Sequence, residues 1–392
     1  MVKILSFGDN PLTSTGYGCV WNNLLTRWKK MKPEWDFYHV GWQSRDRPHE
    51  TKEGYFILPM GKLEYGYDVC YSNIIKYQPE FLVTLADVGW QSGFIEAVFA
   101  AKKAGWRGKW IMYTPMDTHS WAMGWSEIFD KCDINVAMAK FGEQQMKLHN
   151  VPNIVLIEHG VDLEDFHPLD KIKTKKKVKI EDKFVVGFVG RNQTRKMLDR
   201  IMLGFSHFAK DKNDVVLMLH TDEEPPQQGW SLKYMQWLYK IEDKLKLTKT
   251  NLDVYARQNI EENTMNEIYN FMDVFCYGTG GEGFGLPAIE CQAAGVPLLM
   301  TDCTTALDLC REENKIAVLK DSYGRDVENV GTNGVAFKVP DDVKMAELLE
   351  KRYLEWKEGK LAERGIEARK FAEQYNWDLI SKKWIDLFEK EI

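Results

Sequence analysis

Two glutamates stand eight residues apart. Glu282 lies inside a glycine loop, "GTGGEGFG" (278–285), and Glu290 lies about one turn into the helical segment that follows. The apolar run "DVFCY" (273–277) ends just before the loop. The loop is therefore expected at the carboxyl end of a buried strand, where open α/β sheets bind ligands. Gly281, Gly283 and Gly285 would let the backbone approach a ligand, and Pro287 suits a first helical turn. Unpaired amides and the helix dipole favour an anion such as phosphate. Glu282 is itself an anion, so it is expected to face hydroxyls. Glu290 could accept bonds from two adjacent hydroxyls, as a ribose presents. A phosphate cradle beside two hydroxyl-reading carboxylates suggests a sugar nucleotide. The competing reading is an ordinary strand–loop–helix with Glu290 on a solvated face.

A second segment adds cations. "VVGFVGRNQTRKMLDR" (185–200) reads as strand, loop and helix, with Arg191 leaving the strand end and Lys196 starting the helix. The pair could neutralise a diphosphate from the side opposite the Glu282 loop, with surface charge as the alternative. No D-x-D occurs in the chain, so a metal held by such a carboxylate pair has no candidate. Two cations and a helix terminus could supply the charge without one.

These loops need elements to hold them. Short apolar runs read as buried parallel strands at 2–7, 36–42, 81–87, 109–115, 134–139 and 153–160, with helical period at 16–31, 91–105 and 140–149. A second series follows at 183–191, 214–221, 252–258, 273–278 and 296–302. Thr264 to Glu267 fits a capping box. Two such series predict two doubly wound α/β sheets. Between them, 160–183 has no period and carries six lysines from Lys171 to Lys179. It reads as a solvated linker, or alternatively as a patch for a membrane surface or acidic partner. The last stretch, "NWDLISKKWIDLFEKEI", has an apolar helical face and is expected to dock.

A length of 392 residues suits two domains. The net charge of −6 argues against a dedicated nucleic-acid binder. No apolar run reaches transmembrane length, and "MVKILSFGDN" reads as strand and turn rather than an export signal. Seven scattered cysteines without C-x-x-C read as reduced thiols of a cytoplasmic protein.

"EGFGLPAIE", with Glu282 and Glu290 at E-x7-E spacing, resembles the signature of the retaining family 4 glycosyltransferases. "GFVGRNQTRK", "EHGVDLEDFHP", "NGVAFKVPDD" and "NWDLISKKW" are similar to further elements of that family. The resemblance implies a GT-B fold, α/β, with two Rossmann-like domains facing a cleft and the last helix crossing back to the first. It implies an acceptor-side domain of residues 1–165 plus 376–392 and a donor domain of residues 166–375. Glu290 would hold the ribose and Glu282 the transferred sugar. Gly283, Phe284, Gly285 and Leu286 would lie beside the donor, and Arg191 and Lys196 would hold its diphosphate. In "STGYG" (14–18), Gly16 would reach the diphosphate. In "MDTHSW" (116–121), His119 would stand near the anomeric centre, a structural histidine being the alternative. Tyr17, Asp117 and Trp121 would touch the acceptor. The expected catalytic set is His119, Glu282, Arg191 and Lys196.

The chain departs from the pattern in places. Gly278-Thr279-Gly280-Gly281 precede Glu282 where the family has P-S. "ARQN" (256–259) replaces F-x-G, and His159 stands where asparagine is usual. The implied reaction is sugar transfer from a nucleotide sugar with retention, by front-face attack, without metal or other cofactor. A sugar-nucleotide hydrolase or epimerase, or a non-catalytic binder, are the rival readings. Neither glycine segment has the G-x-G-x-x-G of a nicotinamide enzyme. Trp90, Trp121 and Trp125 flank first-domain strand ends and suggest a saccharide acceptor. Residues 93–110 read as a buried helix edge, or else as a membrane-surface segment reaching a lipid-linked glycan. The expected location is cytoplasmic, with peripheral contact at the membrane inner face as a variant. No nucleic-acid partner is expected.

Overall fold

Strands of β-branched and aromatic residues, buried on both faces, build two parallel sheets in a computed structural model that describes residues 2–45, 47–223, 229–248, 262–331 and 334–392. The first compact unit comprises 1–116, 121–160 and 377–392, and the second comprises 117–120 and 161–376.

Unit 1 holds β1 (Lys3–Asp9), β2 (Asp36–Trp42), β3 (His49–Glu50), β4 (Phe56–Pro59), β5 (Phe81–Leu85), β6 (Lys109–Thr114), β7 (Ile134–Ala137) and β8 (Ile154–Leu156). Their order is β3-β4-β2-β1-β5-β6-β7-β8, with β3 alone antiparallel to its neighbour. The helix Gly16–Met31 buries Val20, Trp21, Leu24, Leu25 and Trp28 on one face. The helix Trp377–Glu391 docks in the same unit as its apolar face requires, with Trp384 and Phe388 5.4 and 5.2 Å from Trp28 between ring centroids. The segment 93–110 buries Val98, Ala101, Trp106 and Trp110, as a helix edge and strand of the core.

Unit 2 holds β9 (Phe184–Val189), β10 (Val215–His220), β11 (Leu245–Leu247), β12 (Val274–Tyr277), β13 (Leu298–Thr301) and β14 (Lys315–Ile316), in the order β11-β10-β9-β12-β13-β14, all parallel. A hairpin of β15 (Glu328–Val330) and β16 (Ala336–Lys338) is added to it. In both units the order reverses at one place, between β1 and β5 in the first and between β9 and β12 in the second. Such a reversal leaves a crevice outside the carboxyl ends of the two strands.

Three expectations are corrected. The strand beside β10 is β11 at 245–247, while the run 252–258 and the "ARQN" departure lie outside the described residues. Thr264 is not a cap, because the helix Glu262–Phe271 is already running there. The lysine run is not simply a solvated linker. Lys171–Lys176 form a helix, and Lys175 is buried in an ion pair with Asp273, whose Oδ2 also accepts from Val185 N at 2.8 Å. Two ions so buried must be paired. Among the described residues no helix is long and apolar enough to cross a membrane.

Candidate functional site

The loops after β9 and β12 lie side by side at the reversal point of unit 2. Arg191 leaves β9, and its Nε donates to Asp222 Oδ2 at 2.7 Å, leaving the side chain 40% exposed. Arg195 and Lys196 close a 3-10 turn, Thr194–Lys196, and Met197 then takes a left-handed φ of 49° before the helix Leu198–Ala209. Lys196 thus precedes the helix rather than starting it. Its Nζ donates to Tyr277 Oη at 2.7 Å and to Glu282 Oε1 at 2.5 Å. Thr279 Oγ1 donates to the same Oε1 at 2.7 Å. Arg195 Nη1 lies 3.2 Å from Glu282 Oε2 and donates to the Gly281 carbonyl at 2.8 Å.

This overturns two expectations of placement. Lys196 does not stand opposite the Glu282 loop, since the two side chains are bonded to each other. Glu282 does not present a bare carboxylate to a ligand, since it is buried among three donors. A carboxylate at this depth needs counter-charge, and the adjacent loop provides it. Burial pushes the Glu282 pKa up, but Lys196 and Arg195 outweigh it and hold the group down to about 2. Burial, then Arg195, lower Lys196 to about 8 against the pull of Glu282.

The glycines serve a different close approach from the one expected. A Cβ on Gly281 would stand 2.0 Å from the Asp117 carbonyl oxygen, so the partner that needs the space is this chain's own backbone. Gly285 takes a φ of +95° as the N-cap of the helix Leu286–Ala293, with Pro287 in the first turn. No side chain caps this end. Amides at an end without a side-chain cap attract an anion. The Phe284 ring packs 5.9 Å from Tyr375 in the interior, so what it can offer a ligand is its backbone. Gly283 and Leu286 are half-buried. Glu290 is half-buried too, and its Oε2 accepts from the buried Tyr269 hydroxyl at 2.6 Å, so it is no solvated surface group.

His119 arrives on the short piece 117–120 that belongs to unit 2. Thr118 Oγ1 donates to the Ala336 carbonyl at 2.7 Å, and Ala336 N donates to Ser120 Oγ at 3.1 Å, which ties the piece to β16. Crowding by its surroundings, then the Lys338 ammonium, lower the His119 pKa below the usual 6.5, so its ring is neutral at pH 7. The structure thus brings 117–120, 191–196 and 278–285 together, through the Asp117–Gly281 approach and the Lys196–Glu282 bond. The other residues singled out lie in unit 1. Gly16 opens its helix, whose N-terminus is capped by Thr15 accepting from Gly18 N at 2.9 Å. Tyr17 Oη donates to Asp87 Oδ1 at 2.8 Å. Trp121 stacks on His149 and Phe129, 4.0 and 5.4 Å away, and its Nε1 donates to Ser126 at 3.0 Å.

Sequence reading missed Arg195, Asp222, Tyr269, Tyr277 and Thr279. Arg195 had a signal, as the neighbour of Lys196 in "TRK", and Asp222 closes the strand run "LMLHTD". Tyr269 carried none, because it meets Glu290 only once two helices pack.

Residues 170–370, just over half of the chain, match the family described as glycosyl transferases group 1. The capsular polysaccharide biosynthesis glycosyltransferase CapM of Staphylococcus aureus is 30% identical over 152 residues, 38% of this chain and 36% of that protein. The match thus spans little more than a third of that relative's length. Among solved structures, sucrose-phosphate synthase from Thermosynechococcus elongatus aligns with a TM-score of 0.75 at 15% identity, over 100% of this chain and 99% of that one. Anabaena HepE in complex with UDP-glucose aligns with a TM-score of 0.70 at 12% identity, over 100% of both chains. At such identities the likeness establishes the fold, an α/β pair of Rossmann-like units of the GT-B class.

Proposed function

This chain belongs to the glycosyl transferases group 1 family, and we propose that it moves a sugar from a nucleotide-diphosphate sugar to an acceptor hydroxyl with retention of configuration. The observation that carries the reading is the reversal point of unit 2. There Arg191, the Lys196–Glu282 network and a helix N-terminus without a side-chain cap converge. A diphosphate is the ligand that such cations and amides suit. Arg191 and Lys196 bind it, with the amides of Gly283, Phe284 and Gly285. Glu290 reads the ribose hydroxyls, sharing or exchanging its bond with Tyr269.

Transfer breaks the bond between the anomeric carbon and the leaving phosphate oxygen. That oxygen gains charge, which the cations stabilise, and takes the proton of the attacking acceptor hydroxyl. A double displacement would need a carboxylate nucleophile. Glu282, committed to Lys196, Thr279 and Arg195, is a poor one, which supports front-face attack. Neutral His119 offers a hydrogen bond near the anomeric centre. The likeness to a UDP-glucose complex and to a capsular polysaccharide glycosyltransferase supports a nucleotide sugar as donor and a saccharide or lipid-linked glycan as acceptor. The reaction is proposed to be metal-independent and to occur in the cytoplasm.

The test is incubation of the full chain with radiolabelled UDP-, GDP- and ADP-sugars, with and without cell extract, in excess EDTA. Labelled conjugate formed only with extract is expected. Free sugar released without extract would favour a hydrolase, and binding without turnover a sensor. Activity that vanishes in EDTA and returns with Mn²⁺ would end the metal-free reading.

A further inference from the structure

Three aromatic rings stack at the carboxyl edge of the unit 1 sheet. Trp42 is the last residue of β2, and its ring lies 4.3 Å from Tyr65, with 23° between their planes. Tyr65 lies 4.9 Å from Trp90 at 31°. Tyr65 has a φ of 59° and a ψ of 0° inside the turn Glu64–Gly66. A bulky side chain rarely occupies that left-handed region, and where one does the conformation is often tied to function. Tyr67 Oη donates to the Trp90 carbonyl at 2.7 Å, which fixes the backbone carrying the indole. Yet Trp90 is 47% exposed. Trp121, by contrast, is only half-buried surface packing against Phe129 and His149.

The rim of the stack is acidic. Asp9 ends β1, Asp87 follows β5, and Tyr17 donates to Asp87. The two strands flank the reversal point of this sheet, the place where an open α/β sheet takes a ligand. The charges that bear on the Tyr65 hydroxyl, those of Asp87, Asp9 and Glu64, are all negative and raise its pKa beyond what burial alone does.

A sugar ring has an apolar C–H face and an edge of hydroxyls. An exposed aromatic ring suits the face, and carboxylates suit the edge. A phosphate or carboxylate on the ligand would meet like charge here. We infer that the Trp42–Tyr65–Trp90 stack with Asp9 and Asp87 is the acceptor subsite, and that it takes a neutral saccharide ring. The word acceptor rests on the transferase reading above, whereas the binding does not.

The full chain is tested on a glycan array carrying neutral, sialylated and phosphorylated oligosaccharides, and hits are titrated by calorimetry with and without UDP. Neutral glycans should bind. Trp90→Ala should weaken them by about tenfold or more, the scale of a lost aromatic stacking contact. Trp90→Phe should retain most of the affinity, and UDP affinity should stay unchanged in both variants. Should Trp90→Ala melt early, Asp87→Asn reads the same site, and is expected to relax the discrimination against anionic glycans. Neutral-glycan affinity unmoved by Trp90→Ala, a preference for anionic glycans, or no glycan bound would each overturn the inference. Glycan binding without any donor turnover would sink the transferase reading and leave the subsite standing. Donor turnover with wild-type glycan affinity in Trp90→Ala would do the reverse.

Discussion

Arg191 and Lys196 carry the same charge in different settings, and the setting decides how each responds to removal. Arg191 is partly exposed and leans on Asp222, whereas Lys196 is buried and neutralises Glu282. Both face the charge that would develop on a leaving diphosphate. Arg191→Ala and Lys196→Ala are each expected to lower kcat by about 10²–10³ while raising the donor KM less, the cost of one preorganised donor. Their stabilities should differ. Lys196→Ala leaves a buried carboxylate with Arg195 and Thr279 alone and should cost about 3–5 kcal/mol. Arg191→Ala leaves Asp222 its bond from Asn192 N and should cost about 1–3 kcal/mol. Urea unfolding and donor-saturated kinetics separate the two. Wild-type turnover of Arg191→Ala at saturating donor would leave the diphosphate mechanism without its exposed cation.

At the scale of elements, backbone approach and buried charge do the positioning. Gly281 admits the Asp117 carbonyl and with it the piece that carries His119. Gly281→Ala must push the two segments apart, at about 1–3 kcal/mol by the usual cost of overpacking. We expect turnover to fall further than stability does, because His119 is displaced with its segment. A variant as active and as stable as the wild type would mean that the approach is slack. The helix Lys171–Lys176 offers a second case. Lys175→Met leaves Asp273 buried without its ammonium, and a loss of about 3–5 kcal/mol is expected in urea unfolding. Lys173→Met, on the 84% exposed neighbour, should change stability by no more than about 0.5 kcal/mol. Equal effects from the two would show the run to be a solvated face after all.

For the whole molecule, pH is the lever. His39 and His159 are buried in unit 1, His159 with Nδ1 2.6 Å from Tyr113 Oη, and burial lowers both from 6.5 to about 3. Between those values the unfolded chain binds more protons than the folded one. Stability is therefore fully present above pH 6.5 and is lost as pH falls toward 3. Each histidine should remove roughly 3 kcal/mol by pH 4. His159→Asn, which keeps a polar partner for Tyr113, should flatten the fall of Tm between pH 6.5 and 4. An identical acid slope in that variant would place the sensitivity elsewhere.

What the sequence determined by itself follows from local rules. Buried strands must be apolar, loops at their carboxyl ends must turn, and helices need an apolar stripe. Hence the two α/β series, the loops at 191–196 and 278–285, and the docking of the last helix were legible before any coordinates. Glycines, cations and glutamates at those loops were legible too, as residue types suited to a diphosphate and hydroxyls. Who bonds whom was not. The Lys196–Glu282 bond joins residues 86 positions apart, Lys175–Asp273 joins residues 98 apart, and Tyr269 reaches Glu290 across two helices. Such pairings depend on the strand order, which sets β9 beside β12, and no periodicity in the chain encodes that order. The same holds for the ring stack of unit 1, whose members come from a strand end, a strained turn and a helix. Burial then decides which charges must be neutralised from within and which, like Arg191, are left to meet a ligand.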